Sequence, residues 1–250
     1  MTTPREAYKL LDGLITAGNI TPDQGNLLKQ VIRDTVRNAY QDPVTQLGNR
    51  RKFDEDLSRR VHDAIRTGED FCIVYADLDY FKPVNDLLGH EVGDRVLQAI
   101  GYLSRVANRV YFAANRESID QAVLTVGRRN NDPAYRLGGD EFGYLVADAD
   151  LQAGMIAAER YRKTIEGNPM VHGVQMTLGV VSFRDLLKEM EREQDSQTSL
   201  LCDAGFFARL LRERADAALR QAKDTGKNKV CGYTGSQTPY LTIDDVLPKP

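Results

Sequence analysis

Cysteine is scarce and scattered: Cys72, Cys202 and Cys231 are the three in 250 residues, and no two form a C-x-x-C pair. That argues against a disulfide framework or a zinc ribbon and leaves reduced thiols. Long apolar runs are also missing, and nothing approaches the ~18 apolar residues of a membrane helix. The amino terminus has no apolar signal-peptide core. Together these two absences predict a cytoplasmic protein with no membrane span. A surplus of one charge is absent too: 33 Lys and Arg face 36 Asp and Glu, for a net charge of −3. A chain so balanced carries no global attraction for nucleic acid or an acidic membrane surface. There is no internal repeat and no low-complexity tract. What is present is ordinary for a globular protein, with 42% hydrophobic and 28% charged residues. A chain of this size buries a substantial core without disulfides or a structural metal.

The first forty residues read as a helical hairpin. Thr3-Pro4-Arg5-Glu6 and Thr21-Pro22-Asp23-Gln24 each offer an N-cap, a proline at the first helical position and an acid or amide at the third. Gly18-Asn19 supplies the turn between them. In the second helix Leu28, Val31, Ile32, Val36 and Ala39 share one face. That stripe suits packing on the rest of the chain, or equally a dimer or partner contact. Asp42-Pro43 breaks the pattern, so we divide the chain into a hairpin at 1–41, a main domain at 42–235 and a loosely held tail at 236–250.

Within the main domain, Phe71 to Ala76 is an almost continuous apolar run, as suits a buried central strand. Residues 92–107, 151–165 and 207–223 carry helical periodicity. Residues 135–146 read as two strands about Gly138-Gly139, residues 174–183 as a strand and residues 229–232 as a last short one. Strands alternating with helices predict an α/β or α+β domain, helices covering a sheet.

Four clusters carry chemistry. The strand at 71 ends in Asp77-Leu78-Asp79, with Lys82 close behind. Side chains alternate along a strand, so the two carboxylates share a face and can reach a hard cation. An isolated Asp-x-Asp also fits a helix cap beside a solvated acid. Arg136-Leu137-Gly138-Gly139-Asp140-Glu141-Phe142 puts adjacent acids at a glycine turn, where backbone can approach a ligand closely. Such a turn also fits a plain acidic hairpin. Gly89-His90-Glu91-Val92-Gly93-Asp94 is a glycine-rich helix entrance. Ala215-Asp216 to Asn228 places Lys223 near a helix end, an ordinary C-cap in isolation.

Together these residues resemble the GGDEF family of diguanylate cyclases. The likeness opens at Asp42-Pro43-Val44-Thr45-Gln46-Leu47-Gly48-Asn49-Arg50-Arg51 and continues through Asp77, Asp79, Phe81, Lys82, Asn85, Asp86, Gly89, His90, Gly93 and Asp94. It takes in Gly138 to Phe142, Thr177-Leu178-Gly179 and the stretch from Ala215 to Asn228. The blocks stand in the family's order over residues 42 to 232, and the hairpin lies outside the likeness.

The resemblance implies a central, mainly antiparallel five-stranded sheet flanked by helices, like nucleotidyl cyclases and the polymerase palm. It implies Mg²⁺, with Mn²⁺ as a substitute, on Asp77, the carbonyl of Leu78 and Asp140. Asn85 and Asp94 would read guanine; Lys82, Lys223 and Lys227 would hold phosphates, and Gly138 and Gly139 would admit the substrate. Glu141 completes the acidic site, with the choice of general base between the signature acids left open. The implied reaction joins two GTP into cyclic di-GMP and pyrophosphate across a homodimer. Arg129-Asn130-Asn131-Asp132 matches the family's inhibitory R-x-x-D, which implies product binding at Arg129 and Asp132.

Three departures stand out: Gln46 for a usual glycine, Arg220 for a tyrosine, and Lys227 for a common arginine. None removes an acid. Residues 108–128 and 185–206 are longer than the family pattern, the second with a charged run from Lys188 that reads as solvated. Other functions to weigh are a GGDEF-fold receptor that binds cyclic di-GMP or GTP without turnover, a cyclase with relaxed base choice, and a signalling module built on the hairpin. The input signal is not readable.

Overall fold

The computed structural model of the protein describes residues 4–110, 133–193, 203–235 and 240–246. Helices α1 (Pro4–Thr16) and α2 (Pro22–Tyr40) form the expected hairpin. Thr21 caps α2 through a full capping box, its hydroxyl accepting from the Gln24 N–H while the Gln24 side chain accepts from Thr21 N–H. The apolar stripe of α2 does not pack down along its length, because Leu28 and Val31 are exposed. Among the described residues its C-terminal end is tied to the main domain: Asn49 donates to the Ala39 carbonyl, and the Tyr40 hydroxyl to Glu55.

After β1 (Gly48–Asn49) and α3 (Arg50–Thr67) comes β2 (Phe71–Asp79), followed by α4 (Phe81–Leu88) and α5 (His90–Val110). Beyond a stretch outside the described residues follow β3 (Ala134–Gly138), β4 (Glu141–Ala147), α6 (Leu151–Ile165) and β5 (Gln175–Ser182). The chain goes on through α7 (Phe183–Glu193), α8 (Ala204–Asp224), β6 (Val230–Tyr233), β7 (Tyr240–Thr242) and α9 (Ile243–Val246). The sheet order is β1-β3-β4-β2-β5-β6-β7. The β1·β3 and β5·β6 pairs are parallel and the other four antiparallel.

The sheet therefore has seven strands where five were expected. The inner five match the expectation; β1 and β7 add short edges of two and three residues. β7 also corrects the loose tail, since it pairs with β6 while Gln152 donates to the Val246 carbonyl. Among the described residues no helix is long and apolar enough to cross a membrane.

β2 lies at the centre, paired on both sides, which is why its sequence is apolar on both faces. Cys72, Val74, Ala76 and Leu78 pack with Val96 and Ile100 of α5 and Met155 of α6. Phe71 and Ile73 pack on the other face with Phe53 and Leu57 of α3 and Leu211 of α8. The same alternation carries Asp77 and Asp79 to the α8 side at the strand's end. Gly179 of β5 lets α8 come close: a Cβ there would lie 2.2 Å from the Leu219 nitrogen and 2.5 Å from the Ala215 carbonyl oxygen. The charged run after Lys188 is not wholly solvated. Its residues 188–193 lie in α7, and Glu189 is buried, accepting from the Tyr233 hydroxyl and paired with Arg214.

Candidate active site

Three pieces of backbone meet at the C-terminal end of β2. They are the Asp77-Leu78-Asp79 segment, the β3–β4 turn, and the last turn of α8 with the loop behind it. The close seat of α8 on Gly179 places Lys223, one helical turn past Leu219, within 2.9 Å of Asp77. Lys223 Nζ donates to Asp77 Oδ2. Burial raises the Asp77 carboxyl above its ordinary value, Lys223 pulls it down, and the charges of Asp140 and Asp79 push it up further. Asp77 and Asp140 thus feel each other, and the backbone fixes their relation. Asp77 stands opposite Glu141 in the β2–β4 register, and Leu78 N–H donates to the Asp140 carbonyl at 3.1 Å.

The turn itself depends on its glycines, with φ of 154° at Gly138 and 51° at Gly139. Positive φ of this kind is adopted by glycine at less cost than by a residue with a Cβ. Around it stand two arginines. Arg136 donates from Nε to the Gly139 carbonyl at 2.9 Å, and its NH1 reaches Asp42. Arg50 donates to the Leu137 carbonyl at 2.7 Å and pairs with Glu141 at 3.1 Å. Both arginines belong to sequence blocks quoted above, yet nothing in linear spacing shows them bracing the hairpin.

Asp79 behaves differently from Asp77. It is 2% exposed and accepts from the Thr177 hydroxyl at 2.5 Å and from Asn228 N–H at 3.1 Å. Its other oxygen, Oδ1, is buried without a hydrogen-bond partner among the described residues. Asp79 therefore anchors the loop after α8 and does not face the opening. That loop turns through left-handed Lys227 and Asn228, at φ 61° and 42°. The Asn228 side chain donates to Glu166 and accepts from Arg162. Lys227 sits over the Tyr80 ring, 4.7 Å from its centroid, and Tyr80 is itself left-handed at φ 63°.

The remaining expected residues lie on α4 and α5. Lys82 is exposed on the first turn of α4, and Asp94 is exposed on α5. Asn85 is half-buried and packs on Gly93, where a Cβ would collide with its Oδ1. The glycine preceding Asp94 thereby brings α5 against Asn85. Arg129 and Asp132 lie outside the described residues.

Among the described residues no three His, Cys, Asp or Glu side chains form a cage for a metal. What Asp77 and Asp140 offer suits Mg²⁺, which takes one or two carboxylates and completes its shell with water and substrate phosphate. The ammonium on Asp77 Oδ2 marks that oxygen as a place where a cation is stabilised.

The familial departures also have local explanations. Gln46 adopts φ 59°, the region glycine would favour, and holds it by donating to the Pro43 carbonyl and accepting from Arg37. Arg220 turns outward to pair with Asp216.

Comparison with known proteins agrees with this geometry. A family model described as "Diguanylate cyclase, GGDEF domain" matches residues 39–115. The uncharacterized protein YhcK of Bacillus subtilis is 31% identical over 200 residues, covering 77% of this chain and 45% of its own length. The probable diguanylate cyclase DgcT of Escherichia coli is 30% identical over 209 residues, covering 80% and 37%. The chain thus spans less than half the length of these relatives. Among solved structures, the coiled coil and GGDEF domain of DgcB from Caulobacter crescentus, in complex with c-di-GMP, gives a TM-score of 0.61 at 21% identity. It covers 89% of this chain and 98% of that one, which establishes the common fold. Signature hairpin, motif order, sheet and relatives converge, and the chain belongs to the GGDEF-domain family of diguanylate cyclases.

Proposed function

We propose that this chain is a diguanylate cyclase that condenses two GTP into cyclic di-GMP with release of two pyrophosphates. The observation that carries the reading is the meeting of Asp77, Asp140 and Lys223 at one strand end. Asp77, Asp140 and the carbonyl of Leu78 would hold Mg²⁺, or Mn²⁺ in its place. When bound, the ion supplies charge neutralisation on the α-phosphate and acidifies the attacking hydroxyl. Asp94 accepts from guanine N1–H and N2–H, with Asn85 beside it. Lys82, Lys223 and Lys227 hold the triphosphate, and Gly138 and Gly139 let the backbone come near it. The 3′-hydroxyl of each GTP attacks the α-phosphate of the other. At each α-phosphate a P–O bond forms, the bond to the bridging oxygen of the β-phosphate breaks and one pyrophosphate leaves, and each hydroxyl proton passes to Asp140 or Glu141. Arg50 keeps Glu141 at the edge of the hairpin.

One domain presents one such half-site, so the reaction needs two copies face to face as a homodimer. Arg129 and Asp132 would bind the product and give feedback inhibition, consistent with relatives solved in complex with c-di-GMP. The test is incubation of the pure protein with Mg²⁺ and GTP, with the product identified by mass. Cyclic di-GMP and pyrophosphate are expected. Saturable cyclic di-GMP binding without turnover would make the protein a receptor instead.

A further inference from the structure

We propose that Lys223 is a built-in competitor of the catalytic cation. Its ammonium holds Asp77 in the nucleotide-free protein and leaves only when a triphosphate offers it a better partner. The inference rests on the metal reading of Asp77 above and adds an order to it: metal and nucleotide enter as a coupled pair.

The geometry supports this in three ways. First, Lys223 Nζ lies 2.9 Å from Asp77 Oδ2, one of the two oxygens through which Asp77 could hold a divalent ion. Two cations cannot share that oxygen without strong repulsion. Second, Lys223 cannot be withdrawn by sliding its helix. The α8 backbone is wedged on Gly179, where even a Cβ would meet Leu219 N at 2.2 Å. Third, the side chain itself can leave. It is 35% exposed, and a lysine stem rotates freely about four carbons. Lys227, by contrast, is already seated on the Tyr80 ring.

A triphosphate draws the ammonium away from Asp77 and frees the carboxylate for the ion. Linkage makes the effect mutual: nucleotide raises metal affinity, and metal raises nucleotide affinity by the same factor.

The experiment measures Mn²⁺ binding by electron paramagnetic resonance, without nucleotide and with 3′-deoxy-GTP, which lacks the attacking hydroxyl. Lys223→Met should bind Mn²⁺ without nucleotide at least ~10-fold more tightly than the wild type, a shift of about 1.4 kcal/mol. Lys223→Gln repeats the measurement should the methionine variant fail to fold. Lys223→Arg, which keeps the cation, should stay as weak as the wild type. Adding Asp77→Asn to Lys223→Met should remove the gain. Equal Mn²⁺ affinity in wild type and both neutral variants, with all three binding Mn²⁺ once nucleotide is present, overturns the competition and leaves the cyclase reading standing. No Asp77-dependent Mn²⁺ in any protein, even with nucleotide, overturns the metal assignment and the competition with it.

Discussion

The guanidinium of Arg136 meets the carboxylate of Asp42 at 3.2 Å across 94 residues of sequence. The same arginine holds the Gly139 carbonyl, so one side chain ties the exit of the helical hairpin to the tip of the β3–β4 turn. Removing either partner should cost about 1.5–3 kcal/mol, as for hydrogen bonds to charged groups. Asp42→Ala, Arg136→Ala and the pair form a double-mutant cycle. Urea unfolding should show the double variant losing less than the sum of the two.

The pH dependence of that tie has a definite sign. Burial would raise the Asp42 carboxyl, but the N–H and hydroxyl of Thr45 and the charge of Arg136 outweigh it and leave it below 3.8. A folded-state value below the unfolded one stabilises the protein above pH 3.8, and the contribution is lost as pH falls through the folded value. Asp42→Asn should therefore narrow the stability gap to wild type in acid. A gap that widens on acidification would contradict the assignment.

Asp77 works in the opposite sense. Its carboxyl is raised chiefly by burial, so the metal-free fold loses stability as pH climbs from 3.8 through the raised value. Asp77→Asn imitates the protonated form. It should melt higher than wild type at neutral pH in chelator, while turnover falls by on the order of 10²–10³ or more. Asp140→Ala should lose turnover to a similar extent. Near-normal rates in either variant at saturating Mg²⁺ would remove these acids from the mechanism.

Gly179→Ala tests the seat of α8. The added methyl meets helix backbone, which cannot rotate aside as a side chain can. Overpacking of this kind costs about 1–3 kcal/mol. Activity should fall further than stability alone accounts for, because Lys223 rides on the displaced helix. A variant with wild-type melting and kinetics would show the contact to be slack.

Specific activity should rise with protein concentration and then level off, if two half-sites must meet. A dilution series followed by light scattering decides this. A constant rate per molecule down to a demonstrated monomer is incompatible with the two-copy reaction.

The sequence made the central strand legible because Phe71 to Ala76 is apolar on both faces, a pattern little else requires. Residues 151–165 were equally plain, with α6 spanning Leu151–Ile165. The edge strands were not. Gly48 and Asn49 carry no alternation, and they become a strand only by lying beside Tyr135 and Arg136. Tyr240–Thr242 is too short to stand out from a polar tail until Tyr233 pairs with Tyr240. In the site, alternation put Asp77 and Asp79 on one face but could not say what each would meet. Thr177 and the Asn228 backbone claim one acid, and Lys223 claims the other. Partners of that kind depend on how distant segments pack, which spacing along the chain does not encode.

Lys227 and Asn228 take backbone angles that cost a non-glycine residue on the order of 1–3 kcal/mol apiece. Asp79 and Thr177 hold the loop there from below, and Glu166 and Arg162 hold Asn228 from the side. The strain is met once, when the chain folds, and not again at each encounter with substrate. If Lys227 holds phosphate as proposed, a cation presented this way has little conformational search left to surrender on binding, and its attraction would go into affinity instead of into ordering the loop.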